Sequence, residues 1–97
     1  MEQLEADKKI LVLDGGMGRE LAFRSVKIPE TIWSTGALLT DPDVVEDIHR
    51  DYIQAGSDII TTNTYGVIRS DLKKEGIEDK FIELNERACR IALQARI

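Results

Sequence analysis

The chain has 97 residues, enough for one small domain or for part of a larger one. Its 18 Asp and Glu residues against 13 Lys and Arg give a formal net charge of -5, which excludes bulk attraction to nucleic acid or anionic membranes. The hydrophobic share of 42% argues against disorder. Because no apolar run approaches the roughly 18 residues of a membrane span and no signal core opens the chain, we expect a cytoplasmic protein without nucleic-acid or membrane partners.

The first predicted element is a strand over the apolar run Ile10–Leu13, which the turn Asp14-Gly15-Gly16 closes. A continuous apolar run stopped by glycines is typical of a central parallel strand that is buried on both faces. A short helix is predicted over Gly18–Arg24. The stretch Ser25–Leu39 is less regular, and we expect Trp33 within it to pack on the strand ends.

The second unit opens with a strong helix start, Thr40-Asp41-Pro42-Asp43, which combines a capping residue, an early proline and acidic residues in the first turn. We predict a helix over Asp43–Ala55, since Gly56 follows where a C-terminal glycine belongs. The β-branched residues after it predict a second strand over Ile59–Thr62.

Two helices are predicted after the second strand, a short one over Ile68–Glu75 and a long amphipathic one over about Asp79–Arg96. The order strand, helix, strand, helix implies adjacent parallel strands with right-handed crossovers. Two parallel strands alone leave both sheet edges bare. We therefore expect the opening βαβα section of a larger α/β fold, with self-association through its exposed strand edges.

The turn Asp14-Gly15-Gly16 is the most informative candidate for chemistry, because it follows a predicted strand at the end where α/β folds place their sites. Its glycines leave backbone N–H groups bare for an anion such as a carboxylate, and Asp14 offers a negative charge to an ammonium group. Together they could clamp an α-amino acid. The alternative is a strand-to-helix turn with Asp14 as its cap. The spacing fits neither a dinucleotide fingerprint nor a P-loop.

A second polar group, Thr61-Thr62-Asn63-Thr64-Tyr65, ends the second predicted strand. Alternation places Thr62 and Thr64 on one side, and Thr61 and Asn63 on the other. Hydroxyl groups at this position could bind polar groups of a ligand. The alternative is strand propensity followed by turn chemistry.

His49 and Cys89 are interpreted as structural residues. His49 is expected to be a solvated or half-buried helix residue, and Cys89 a buried inert thiol. A single cysteine also excludes an internal disulfide and a thiolate cage for zinc.

Several motifs together carry a resemblance to a known family. They occur in one order and spacing: Leu13-Asp14-Gly15-Gly16-Met17-Gly18-Arg19-Glu20-Leu21, Ile32-Trp33-Ser34, His49-Arg50-Asp51-Tyr52-Ile53, Ala55 to Tyr65, and Glu83-Leu84-Asn85-Glu86-Arg87-Ala88. From about Lys9 onward the chain resembles the homocysteine S-methyltransferase domain, which also occurs in methionine synthases and in betaine–homocysteine and S-methylmethionine-dependent enzymes. The resemblance implies a TIM (β/α)8 barrel in which a methyl donor methylates the homocysteine thiolate to give methionine.

The resemblance also implies which residues of this chain contact homocysteine. Asp14 is implied for the ammonium group, the backbone of Gly15 and Gly16 for the carboxylate, and Thr62 as a hydrogen-bonding side wall. These positions agree with the amino-acid clamp that the glycine turn suggests. Arg19 departs from the threonine that is common in the family.

The family domain binds zinc, which favours the reactive thiolate at neutral pH. Its zinc cysteines lie in an Asn-Cys and a Gly-Gly-Cys-Cys motif, neither of which occurs here, and Cys89 lies at the wrong place to replace them. We therefore expect residues 1–97 to be a truncated barrel, the amino-terminal fragment of a homocysteine S-methyltransferase, with no zinc bound and no activity of its own. The alternative is a non-catalytic remnant or a partner-binding α/β fragment.

Overall fold

The computed structural model describes residues 10–27 and 33–96. These ranges contain helices α1 (Met17–Phe23), α2 (Ala37–Thr40), α3 (Pro42–Gln54), α4 (Arg69–Lys74) and α5 (Phe81–Arg96), and 3₁₀ turns at Trp33–Gly36 and Glu78–Lys80. The expected packing of the Trp33 side chain lies outside the described part of the chain. No helix in the described ranges is long and apolar enough to cross a membrane.

The helices begin and end close to where the sequence predicts them. Helix α3 has Pro42 at its start, where a missing N–H costs nothing, although the Asp41 side chain makes no capping hydrogen bond. After α3 the chain turns through Gly56 with φ at 116°, and after α4 through Gly76 with φ at 74°. Both glycines occupy the left-handed region that a side chain disfavours, so they end these helices, as the sequence predicts for Gly56.

The core lies between the long helices and the shorter ones packed on them. Helix α3 packs against α5, and α1 and α2 also pack against α3. The fully buried large apolar side chains are Leu21, Leu38, Val45, Ile48, Leu72 and Leu84. The sequence does not predict the 3₁₀ turn Trp33–Gly36 and α2, since they fall in the stretch expected to be irregular. Burial of Leu38 holds this part of the chain to the core.

The two predicted strands meet at a single parallel β-bridge between Leu13 and Ile59. The Asp14 N–H donates to the Ile59 carbonyl at 3.0 Å, and the Val12 carbonyl accepts from the Asp58 N–H at 2.7 Å. The predicted parallel direction is therefore confirmed. The prediction of regular strands over Ile10–Leu13 and Ile59–Thr62 is wrong for the described residues, which we call the first and second extended segments.

The exposure of the first extended segment explains why no regular ladder forms. Ile10 is 75% exposed and Leu13 is 62% exposed, although this run is predicted to be buried on both faces. A pair of strands without a third neighbour gains few hydrogen bonds and little apolar burial, so it is marginal in water. The pairing therefore reduces to one bridge at the level of Leu13.

Candidate functional site

The glycine turn and the second polar group lie at the same edge of the paired segments. Because the bridge between Leu13 and Ile59 is parallel, the residues that follow each segment leave it in the same direction. The turn Asp14-Gly15-Gly16 therefore comes next to the Thr61-Thr62 end of the second segment. This is the juxtaposition that the sequence predicts for the candidate site.

The Asp14 carboxylate joins the two segments directly. One of its oxygens accepts a hydrogen bond from the Thr61 N–H at 2.9 Å, and the other accepts from the Thr61 hydroxyl at 3.1 Å. It does not cap α1, because the N-cap position is Gly16 and no side chain caps that helix. A carboxylate has about four acceptor sites, so two contacts leave capacity for an ammonium group.

The Tyr52 side chain leaves no room for a side chain on Gly15. A Cβ atom on Gly15 would lie 2.8 Å from the Tyr52 hydroxyl oxygen and 3.0 Å from its Cε1 atom. Real Cβ atoms do not approach other atoms so closely. Helix α3 therefore reaches the turn through one aromatic ring, which packs where a side chain on Gly15 would stand.

Gly16 is held by the same side chain through a hydrogen bond. The Tyr52 hydroxyl donates to the Gly16 carbonyl oxygen at 3.0 Å. Burial, together with the nearby charges of Glu20 and Asp14, raises the pKa of Tyr52, so its hydroxyl stays protonated as a donor. The sequence places Tyr52 on the apolar face of a helix but does not reveal this contact.

Thr62 lies next to the candidate site but makes its described contact elsewhere. Its hydroxyl is 3.0 Å from the hydroxyl of Thr64, which agrees with the predicted alternation. Thr62 also lines a groove of about 450 Å³ between the second extended segment and α5, together with Cys89 and Leu93. The described contacts thus pair Asp14 with Thr61 rather than with Thr62.

A set of buried and part-buried residues, Ser34, Thr35, Asn63 and Gly66, fixes the loop after the second segment, and we call it the polar clasp. The Asn63 amide donates to the Ser34 carbonyl at 2.9 Å and accepts from the Ser34 hydroxyl at 2.8 Å. The Gly66 N–H donates to the Thr35 hydroxyl at 3.0 Å. Asn63 is only 4% exposed, so these contacts replace water. Sequence reasoning misses the clasp, because its halves are about thirty residues apart and carry no local pattern.

His49 and Cys89 differ from their predicted environments. His49 is 0% exposed rather than solvated or half-buried, and neither ring nitrogen has a hydrogen-bond partner among the described residues. Burial lowers its pKa from the ordinary value, and the charges of Asp14 and Glu46 act in the opposite direction. Cys89 is exposed rather than buried.

The described residues do not fit a metal centre. Within residues 10–27 and 33–96 no group of three or more His, Cys, Asp or Glu side chains could hold a metal ion. The buried His49 and the exposed Cys89 lie on different helices, α3 and α5, and each lacks further ligands. The zinc implied by the resemblance therefore has no ligand set in this part of the chain.

Comparisons with known proteins agree with the resemblance that the motifs carry. Residues 11–97 match the model of the homocysteine S-methyltransferase family. Homocysteine S-methyltransferase 3 of Zea mays is 34% identical over 87 residues, which cover 89% of this chain and 26% of the maize protein. A selenocysteine methyltransferase of Astragalus bisulcatus is 35% identical over 86 residues, which cover 88% of this chain and 25% of that protein.

A solved structure is similar over almost the same range. The crystal structure of the homocysteine methyltransferase MmuM from Escherichia coli, in its metallated form, matches with a TM-score of 0.85 and 28% identity. The match covers 93% of this chain and 32% of that protein. The chain thus spans about a quarter of the length of the curated relatives described above and about a third of the solved one. On the family match and the solved structure together, the chain belongs to the homocysteine S-methyltransferase family.

Proposed function

We propose that this chain is the opening βαβα section of a TIM (β/α)8 barrel. The complete barrel is a cytoplasmic domain that methylates the homocysteine thiol to give methionine. The family match over residues 11–97 supports the proposal. So does the parallel bridge at Leu13 and Ile59, which brings two loops together at one edge. We assign a zinc site to the complete domain, but we propose no described residue of this chain as a zinc ligand.

Within that domain we assign this segment to the amino-acid end of the substrate. The relatives named above act on homocysteine and on selenocysteine. These substrates have different side chains but share an ammonium group and a carboxylate on one carbon atom. A segment common to both kinds of enzyme is well suited to recognise the shared groups.

The residues of the glycine turn divide this task by charge. Asp14, which Thr61 holds in place, is assigned to the substrate ammonium group. The backbone N–H groups of Gly15 and Gly16 are assigned to the carboxylate, and Thr62 to the side wall. The observation that carries this assignment is the position of Asp14, fixed between the two segments with acceptor capacity left over. The methyl donor and the reacting sulfur are assigned to the remainder of the domain.

The test is a charge-removing substitution in a complete domain. Residues 11–97 are joined to the part of the Escherichia coli relative that they do not cover, and methionine formation is measured. Asp14→Asn should raise the homocysteine KM about tenfold or more, because a desolvated charge-assisted contact contributes about 1.5–3 kcal/mol. The metal content should stay unchanged.

Asp58→Asn is the matched control for the loss of a contact between the segments. One Asp58 carboxylate oxygen accepts a hydrogen bond from the Val12 N–H at 2.8 Å, at the opposite end of the pairing from the glycine turn. Both substitutions should lower the melting temperature, but only Asp14→Asn should raise the homocysteine KM. An unchanged KM in Asp14→Asn would remove Asp14 from the site and leave it a purely structural link.

The second candidate function is a partner-binding or non-catalytic α/β fragment. The exposure of Ile10 and Leu13 favours it, because an apolar extended segment with a free edge is suited to pair with another strand. In that case Asp14→Asn and Asp58→Asn would affect assembly to a similar extent, and neither would change the homocysteine KM. The same pair of variants therefore separates the two candidates.

A further inference from the structure

Tyr52 is the residue through which α3 controls the shape of the glycine turn. Its ring occupies the place of a Gly15 side chain, since an added Cβ would lie 2.8 to 3.1 Å from three ring and hydroxyl atoms. This close approach places the hydroxyl end of the Tyr52 ring beside the Gly15 backbone. Any residue other than glycine at position 15 would displace the Tyr52 side chain.

The hydroxyl of Tyr52 adds a second restraint, on the next residue. It donates to the Gly16 carbonyl at 3.0 Å. Because a peptide unit is planar, fixing the Gly16 carbonyl also fixes the N–H direction of Met17, the first residue of α1, and thereby restrains the backbone on the C-terminal side of Gly16. One side chain therefore restrains two consecutive residues of the turn, one by packing and one by a hydrogen bond.

We propose that Tyr52 is a positioning residue that gives this site its preference for a carboxylate, by fixing the Gly15–Gly16 backbone in the orientation that receives it. The inference rests on the proposed function of the same turn and names the substrate group that Tyr52 governs. Tyr52 acts through the backbone and is assigned no contact with the substrate. Asp14 is held separately, by Thr61, so recognition of the ammonium group does not depend on Tyr52.

The experiment compares two ligands that differ only in the carboxylate. L-homocysteine and homocysteamine, which is homocysteine without its carboxylate, are titrated into the isotope-labelled full chain at dilute concentration. Binding is followed by the backbone amide NMR signals of Gly15 and Gly16. The variants are Tyr52→Phe, which keeps the ring and removes the hydroxyl, and Thr40→Val, which removes a hydroxyl that donates to the Gly36 carbonyl away from the site.

Tyr52→Phe should weaken homocysteine binding about three- to tenfold, the usual effect of one lost hydrogen bond. Its affinity for homocysteamine should stay unchanged, because Asp14 still meets the ammonium group. The amide signals of Gly15 and Gly16 should shift even without ligand. Thr40→Val should leave both affinities unchanged, and the melting temperature of each variant shows that the fold is kept.

Two results would overturn the role of Tyr52 alone: equal homocysteine affinity in Tyr52→Phe and the unsubstituted chain, or an equal loss of affinity for both ligands. The second of these would show that Tyr52 only stabilises the fold. If the unsubstituted chain binds homocysteine no better than homocysteamine, the carboxylate site itself is contradicted, and the role of Tyr52 with it. The experiment therefore distinguishes failure of the role of Tyr52 from failure of the proposed carboxylate site.

Discussion

At the residue scale, the glycine turn is shaped by side chains from other segments rather than by its own sequence. Gly15 shows no left-handed φ, so its lack of a side chain is required by the Tyr52 ring and not by the backbone. Gly16 has φ at -70° and ψ at 126°, a conformation that any residue can adopt. The two neighbouring glycines therefore differ in what a substitution should cost.

Gly15→Ala should destabilise the chain by about 1–3 kcal/mol, because the added methyl group overpacks against Tyr52. In a Tyr52→Ala background the same change should cost much less, since the ring is gone. Gly16→Ala is the control, because its Cβ would meet only the Arg19 Cβ, at 3.8 Å. Urea unfolding of the single and double variants measures the coupling. Additive costs at Gly15 and Tyr52 would contradict the steric explanation.

His49 makes stability depend on pH. Burial lowers its pKa from 6.5, so below that pH the unfolded chain binds a proton more readily than the folded chain does. Stability should therefore be complete above the unfolded pKa and fall as the pH drops below it, by at most about 1.4 kcal/mol per pH unit. His49 is the single histidine of the chain, so no other histidine contributes to this change.

The measurement is urea unfolding of the full chain and of His49→Gln between about pH 7 and pH 5.5, above the range in which ordinary carboxylates titrate. The unsubstituted chain should lose stability over this interval, and His49→Gln should lose clearly less. The comparison of slopes is unaffected by any constant cost of the substitution. Parallel pH profiles would show that His49 is protonated as easily in the folded chain as in the unfolded one.

At the element scale, helices form from local patterns, whereas the loop after the second segment depends on a distant partner. The polar clasp joins Ser34 and Thr35, which lie in the 3₁₀ turn before α2, to Asn63 and Gly66. Thr35 is fully buried, and its hydroxyl accepts from the Gly66 N–H. The clasp thus holds the candidate site's second loop to the core, and its Asn63 and Gly66 half lies between α3 and α4, outside any described helix.

Asn63→Ala should destabilise the chain by about 1–3 kcal/mol, because it removes both hydrogen bonds of the buried Asn63 amide and leaves the part-buried hydroxyl and carbonyl of Ser34 without these partners. Asn85→Ala is a matched control, since the described hydrogen bond of the Asn85 amide goes to the Phe81 carbonyl one turn away on the same helix. It should change stability by less. Thermal unfolding of both variants gives the comparison, and equal effects would mean that the clasp adds nothing beyond a local contact.

At the scale of the whole molecule, the described residues leave apolar surface exposed around the paired segments. Helices α3 and α5 pack together at the core, while Ile10 and Leu13 remain largely exposed. The second segment and α5 line a groove to which Leu93 and Ala92 contribute. The described residues therefore present apolar surface both on the first segment and beside the second.

We expect the full chain to self-associate through the first extended segment. Its average mass by light scattering should rise above 10.9 kDa as the concentration increases. Leu13→Lys should keep the mass near that of the monomer, because an edge lysine opposes strand pairing. Ile82→Lys, at an equally exposed apolar position on α5, should not. Self-association that is the same in both variants would place the interface elsewhere.

Much of the fold is determined by the sequence itself. The boundaries of α3 and α5 follow from a proline start, a glycine stop and apolar residues at helical spacing, all of which act within a few residues of chain. The parallel direction of the two segments follows from the helix between them, because a crossover leaves little choice of direction. The family follows from motifs in register over residues 11–97.

Only the tertiary structure decides the details on which the candidate site depends. Strand formation is not local, because an apolar run becomes a strand only where neighbours pair with its backbone and cover its faces, and Ile10–Leu13 lacks them in the described structure. The links from Asp14 to Thr61 and from Tyr52 to Gly16 join residues 47 and 36 positions apart. No local pattern encodes such contacts, since each depends on where α3 and the second segment come to lie.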